Sequence, residues 1–240
     1  MRTPLLAAIA VPVIAAVTVV ASATAGADAT VITADVAPAT VVVRTTGSTA
    51  LKASVQVTDQ DGVLWADVDL RSATGGDFNY VDNMTGSGEP GPSRWSGSTG
   101  FTKWYATGKW YADVYVFSKG GGSTKVTRTF FVKRQTAFTD VNASEPVRAG
   151  SRSTISGRLT RLEPAKGMVP FAGKGVQLYF LPRGATKWQL KTTVPTDAKG
   201  RFTAALVMSR SGSWQARFPG STHYAPAMSR ADEVDVIAAG

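Results

Sequence analysis

The side chains a protein carries bound the chemistry it can perform. This chain of 240 residues has a single histidine, His223, and no cysteine. A Ser-His-Asp arrangement would have to use His223, which stands between Thr222 and Tyr224 in a turn-like stretch, and no Gly-x-Ser-x-Gly elbow presents a nucleophile to it. Zinc sites want three or four nitrogen or sulfur ligands, more than the chain can supply. No Gly-x-x-x-x-Gly-Lys run could cradle a phosphate, and no dinucleotide fingerprint opens a βαβ unit. The expectation is therefore no catalytic residue, no cofactor and no enzymatic activity.

Oxygen ligands and rings remain. Asp59, Asp61, Asp67 and Asp69 are close in sequence, and Asp67 and Asp69 project to the same side of one strand. Carboxylates so spaced are calcium candidates, although the loop is too short for an EF-hand and has no closing bidentate Glu. The plainer reading is a hairpin turn and a solvated strand face, with no metal. Aromatic residues crowd the same half: Trp65, Trp95, Phe101, Trp104, Tyr105, Trp110, Tyr111, Tyr115 and Phe117. If Trp110 faces a core, a period of two turns Tyr111, Tyr115 and Phe117 outward, with Trp65 beside Asp67 and Asp69. Flat rings next to carboxylates suit a sugar face or a protein partner. The candidate face is Trp65, Trp95, Trp104, Tyr111 and Tyr115, with Trp95 expected as an exposed anchor in a Gly/Ser/Pro-rich loop. The alternative is that a second sheet, or residues 72–100, cover these rings.

The elements that must position them are strands. Val176, Leu178 and Phe180 alternate with polar neighbours, as do Phe202, Ala204 and Leu206, and then Trp214, Ala216 and Phe218. Turns at Pro182-Arg183-Gly184, Asp197 to Gly200 and Ser211-Gly212 punctuate them, which is the pattern of a half-buried antiparallel meander. Trp188 and Trp214 are large enough to fill the space between two sheets. The first half repeats the pattern. Strands are expected at 40–44, 50–58, 63–71, 101–105, 109–117 and 125–133, with Asp61-Gly62 a strong hairpin turn. On 63–71, Leu64, Ala66, Val68 and Leu70 should face inward. Residues 72–100 and 162–175 read as long loops.

The N-terminus reads as an address. Arg2 precedes an apolar run from Leu5 to Val20, followed by the small-residue sites Ala23-Thr24-Ala25 and Ala27-Asp28-Ala29. This predicts a secretory signal peptide over 1–29, a secreted product and no membrane span after cleavage. Without cysteine the exported protein has no disulfide, so its cores alone must stabilise it. The formal charge of +9 is uneven: residues 30–134 carry +2 and residues 135–240 carry +7. The basic residues of the second half are scattered, which fits a solubilising surface or an attraction to anionic polymers better than specific nucleic-acid binding.

With these strands in place, two segments carry a resemblance. Thr107-Gly108-Lys109-Trp110-Tyr111-Ala112-Asp113-Val114, a Gly-rich turn, then Thr129-Phe130-Phe131-Val132, resembles the last strands of bacterial immunoglobulin-like domains. Pro146 to Gly150, Thr154 to Gly157, Lys174 to Leu178, Thr196 to Phe202 and Gly212 to Phe218 are similar to a second such domain. The resemblance implies an all-β chain of two tandem immunoglobulin-like β-sandwiches, residues 30–134 and 135–240, after the leader. It lends no catalytic residues, and many functions share this fold. The expected role is an extracellular binding or structural module whose partner is a protein or a polysaccharide. A module for carbohydrate or cell-wall polymers is the alternative. A secreted protease inhibitor, presenting 86–92 or 162–170 as a rigid loop, is a third reading.

Overall fold

The computed structural model describes residues 19–20 and 31–238. Apart from Val19 and Val20, the expected leader lies outside the described residues. Among those described every regular element is a strand, and no helix is long and apolar enough to cross a membrane.

In the first half, β1 (Val19–Val20), β2 (Val31–Ala37), β4 (Thr49–Asp59) and β7 (Gly91–Phe101) form one sheet in the order β1-β2-β4-β7. The facing sheet contains β3 (Thr40–Val43), β5 (Val63–Ser72), β6 (Phe78–Val81), β8 (Gly108–Ser118) and β9 (Ser123–Arg134), in the order β3-β9-β8-β5-β6. β3 runs parallel to β9, and the other neighbours are antiparallel. The chain crosses from one sheet to the other at Pro38, so β2 lies beside β4 while β3 flanks the last strand, β9. This is the strand order of an immunoglobulin sandwich. Val55, Leu70, Phe101, Trp110 and Phe130 fill the gap. Trp110 meets Phe101 edge-on at 5.1 Å, and its indole N–H donates to the Ala106 carbonyl at 2.9 Å. A buried indole is thereby both packed and satisfied.

The second half repeats the plan with β10 (Thr136–Ala143), β11 (Val147–Arg148), β12 (Arg152–Glu163), β13 (Gly167–Pro170), β14 (Gly175–Pro182) and β15 (Gln189–Pro195). They are followed by β16 (Arg201–Val207), β17 (Gly212–Phe218), β18 (Ala227–Met228), β19 (Asp232–Val234) and β20 (Val236–Ile237). β12 pairs with β10 on one side and with β16 and β13 on the other. β14 lies between β15 and β17, and β11 runs parallel to β20. Ile155, Leu178, Phe202, Trp214 and Phe218 form the core. Trp188 is half-buried outside that core, with the Arg217 guanidinium 5.5 Å from its ring, so only Trp214 fills the role expected of both.

Four local expectations are corrected. No strand spans 101–105, because β7 ends at Phe101 and residues 102–107 turn the chain into β8. Residues 72–100 are not one loop, because they contain β6 and the 11-residue strand β7. Within β7, Gly97 is required because its neighbours are too close for a side chain. A Cβ on Gly97 would lie 2.7 Å from Val81 and 3.2 Å from Met84. Residues 162–175 likewise hold β13, paired back onto β12. On β5 an irregularity between Val63 and Trp65 shifts the register against β8, so Val63 is buried and Leu64 is exposed.

The halves meet without slack. β9 ends at Arg134 and β10 begins at Thr136. Arg134 N–H donates to the His223 carbonyl and Ala225 N–H to the Arg134 carbonyl, both at 2.9 Å. Gln135 N–H donates to Val43 and Leu162 N–H to the Gln135 carbonyl. Leu162, from β12, is buried within the hydrophobic cluster of the first half, with Met168 packed against it.

Candidate binding face

The outer face of β6-β5-β8-β9 is a grid set by register. Trp65 lies opposite Phe117, Asp67 opposite Tyr115, Asp69 opposite Asp113 and Arg71 opposite Tyr111. On the next strand Tyr80 lies opposite Asp69, and Phe78 opposite Arg71. Strict alternation buries Ala66, Val68 and Leu70 below, and so fixes this set above. Trp65 stacks on Phe117 with ring centroids 3.8 Å apart and 14° between the planes, yet stays 40% exposed. Tyr80 and Phe78 are 51% and 57% exposed. Tyr111 carries the Arg71 guanidinium 4.4 Å from its ring centre, and Tyr115 carries Lys125 at 5.2 Å.

Beside Trp65 opens a shallow cleft of about 630 Å3, lined by Trp65, Ala66, Asp67, Asp82, Asn83, Met84 and Thr85. One carboxylate oxygen of Asp67 is buried there with no hydrogen-bond partner. Burial, then the charges of Asp69 and Asp82, push the Asp67 carboxyl above its ordinary value. Asp113 behaves differently. Burial alone would raise it, but hydrogen bonds from Thr127, Arg71 and Lys125 outweigh that and hold it below the carboxylate range. Thr127 donates at 2.6 Å, and Arg71 and Lys125 approach at 3.1 Å. Lys125 in turn is held protonated by Tyr115 and Asp113.

The structure therefore brings Trp65, Tyr111 and Tyr115 onto one face and places the other two candidates elsewhere. Trp95 is 7% exposed, on the inward row of β7 opposite Val55, with Gly86 and Arg94 packed around it. The expectation of an exposed anchor is corrected, because Trp95 belongs to a strand and not to a loop. Trp104 is exposed, but in the turn between β7 and β8, with Lys103 5.3 Å from its ring. The four calcium candidates do not converge. Asp59 sits at the buried end of β4, where one oxygen accepts from Asp61 N–H at 3.0 Å, while Asp67 and Asp69 lie on the outer face of the other sheet. Among the described residues no group of three or more His, Cys, Asp or Glu could hold a metal ion. Phe78, Tyr80, Asp82 and Asp113 were missed. In Phe78-Asn79-Tyr80-Val81 the rings point out while Asn79 points in, donating to the Gly100 carbonyl at 3.1 Å, which inverts the usual polarity.

His223 is occupied structurally. Its Nδ1 lies 3.1 Å from the Thr107 hydroxyl and 3.0 Å from the Thr107 carbonyl, at the junction of the halves. Of the segments considered for an inhibitory loop, 86–90 is a mostly exposed connection running into β7 at Gly91, while in 162–170 Leu162 is core and 167–170 is paired with β12.

No protein-family model matches the chain, and no curated protein matches it. Solved structures do show likeness. The chain is similar to dimeric latent PorU from Porphyromonas gingivalis, at 14% identity and a TM-score of 0.30, covering 82% of this chain and 19% of that one. It is similar to the native conformation of E. coli alpha-2-macroglobulin, at 13% identity and a TM-score of 0.36, covering 88% of this chain and 14% of that one. It is also similar to the D00-D0 domain of intimin, at 11% identity and a TM-score of 0.29, covering 85% and 98%. The chain thus spans less than a fifth of the first two. What places it among all-β immunoglobulin-like tandems is its own strand order.

Proposed function

We propose that the chain is an exported, non-catalytic binding module that engages its ligand on the outer face of the five-stranded sheet of the first sandwich. The observation that carries this is Trp65. It is stacked and held by Phe117, yet open to solvent, and it borders a cleft whose carboxylates Asp67 and Asp82 face one another's charge. A pyranose has an apolar C–H face and a rim of hydroxyls, which are what a fixed ring beside carboxylates would receive. The ligand class is a polysaccharide outside the cell, with the basic second half adding attraction where the polymer is anionic. The commitment of the only histidine to the junction supports a role without catalysis.

A second reading is a protein partner. It is favoured by β6, which among the described residues pairs only with β5 and presents Phe78 and Tyr80 beside its other edge.

Retention of the leader-free chain on insoluble polysaccharides and wall sacculi tests the first reading. Retention that survives moderate salt and is lost in Trp65→Ala is expected. Absence of retention, or retention abolished by salt alone, would defeat ring stacking.

A further inference from the structure

A separate pocket lies in the second sandwich, at the seam between the edges of its two sheets. β15 pairs only with β14, so it ends one sheet, while β16 flanks β12 in the other. A cavity of about 210 Å3 lies between them, walled by Phe180, Leu206, Met208 and Trp214 and bordered by the exposed Lys191 and Arg210. Phe180 and Trp214 pack with ring centroids 4.9 Å apart.

Two features ask for a ligand. Trp214 is 2% exposed, and its indole N–H is buried with no hydrogen-bond partner. A buried donor without an acceptor has given up its water for nothing, and such groups are rare unless something else satisfies them. The contrast with Trp110, whose indole N–H is satisfied by Ala106, is internal to the same chain. Lys191 and Arg210 take part in no ion pair among the described residues, and Lys191 donates to the neutral Gln189 side chain at 2.8 Å. The inner wall of Phe180, Leu206, Met208 and Trp214 is therefore apolar, while the mouth is polar, with Ser209 and two cations that form no ion pair among the described residues.

We propose that this pocket binds a small apolar monocarboxylate, one ring or a short branched chain bearing a single anionic group. A cavity of about 150 Å3 accepts benzene, so this one has room for a ring and a carboxylate. A plain hydrocarbon would leave the indole donor and both cations unmatched. A sugar or a polyphosphate would press hydroxyls or charges against Phe180, Leu206 and Met208. An apolar acid fits on both counts: its body replaces water against the rings, and its oxygens accept from the exposed Lys191 and Arg210 at the border.

The test uses the full leader-free chain and sodium benzoate as the probe, at fixed ionic strength. The indole N–H resonance of Trp214, assigned by its loss in Trp214→Phe, is followed in 1H–15N spectra. A saturable shift with a Kd of about 1 mM or tighter is expected, a range reachable by a ligand of this size. Leu206→Trp, which fills the cavity, should abolish it. Lys191→Gln with Arg210→Gln, both at exposed positions and so compatible with folding, should weaken it about tenfold through loss of charge attraction. No saturable shift, an equal response to neutral benzyl alcohol, or benzoate affinity unchanged in the double variant would each overturn the proposal.

Discussion

Asp67 and Asp113 are diagonal neighbours on the outer face of one sheet, and their surroundings move their carboxyls in opposite directions. Asp113 lies among a hydroxyl and two cations, whereas Asp67 is partly buried beside two other carboxylates. The difference makes one aspartate a fixed part of the sheet and leaves the other charged at a cost in the folded chain.

The two should therefore act oppositely on stability as pH changes. Asp113, with its folded-state value depressed, contributes stability that is complete above its unfolded value and is lost as pH falls through the folded one. Asp67, with its folded-state value raised, favours the fold below the ordinary carboxylate range, and that contribution is lost as pH rises through the raised value. Asp113→Asn should destabilise at pH 7 by about 2 kcal/mol, as for hydrogen bonds to a charged group, with the deficit closing in acid. Asp67→Asn should raise the melting temperature at pH 7 and do nothing in acid. Calorimetric melting across the acid range checks both, and matching pH profiles for the two variants would contradict this account.

Removing Trp65 should separate binding from folding. Trp65→Ala loses an exposed stacked pair, worth about 1 kcal/mol, and should abolish retention on polysaccharide. Trp110→Ala empties the core and should cost about 3–5 kcal/mol. Denaturant titration beside the retention assay distinguishes the two effects.

Gly97→Val should destabilise the first sandwich by about 1–3 kcal/mol through overpacking against Val81 and Met84. Its urea midpoint should fall, while a substitution at Gly47, where a new Cβ would meet nothing, should act only through its backbone conformation.

Leu162 belongs to β12 in the second half but packs in the cluster of the first. Leu162→Ala should cost about 2–5 kcal/mol and also uncouple the halves. One calorimetric transition in the parent should become two in the variant. Two transitions in the parent would show that the junction does not couple them.

The fold was legible where one face is fully apolar. Trp110, Ala112, Val114 and Val116 against Tyr111, Tyr115 and Phe117 placed β8 correctly, and with it three of the ring positions on the face. β7 was hidden because its glycines and serines carry no hydrophobic period, and close packing against Val81 and Met84 requires one of them, Gly97. Trp95 was misplaced for the same reason, since without the strand there was no parity to turn it inward. Leu64 was misread because one irregularity shifts the pairing register, and no local composition marks it. Phe78 and Tyr80 were missed because their partner in polarity, Asn79, is satisfied by a carbonyl distant in sequence.

The parallel pairing of β3 with β9 governs how the first sandwich would carry load. β3 and the closing strand β9 lie side by side over four paired residues, Thr40 to Val43 against Phe131 to Arg134. Tension drawn between Thr40 and Arg134 would slide these strands past each other, straining their hydrogen bonds together rather than peeling them one at a time. Loaded in that direction, the four-residue pair would yield as a unit, so the β3–β9 seam is the part of the first sandwich that meets lengthwise strain all at once.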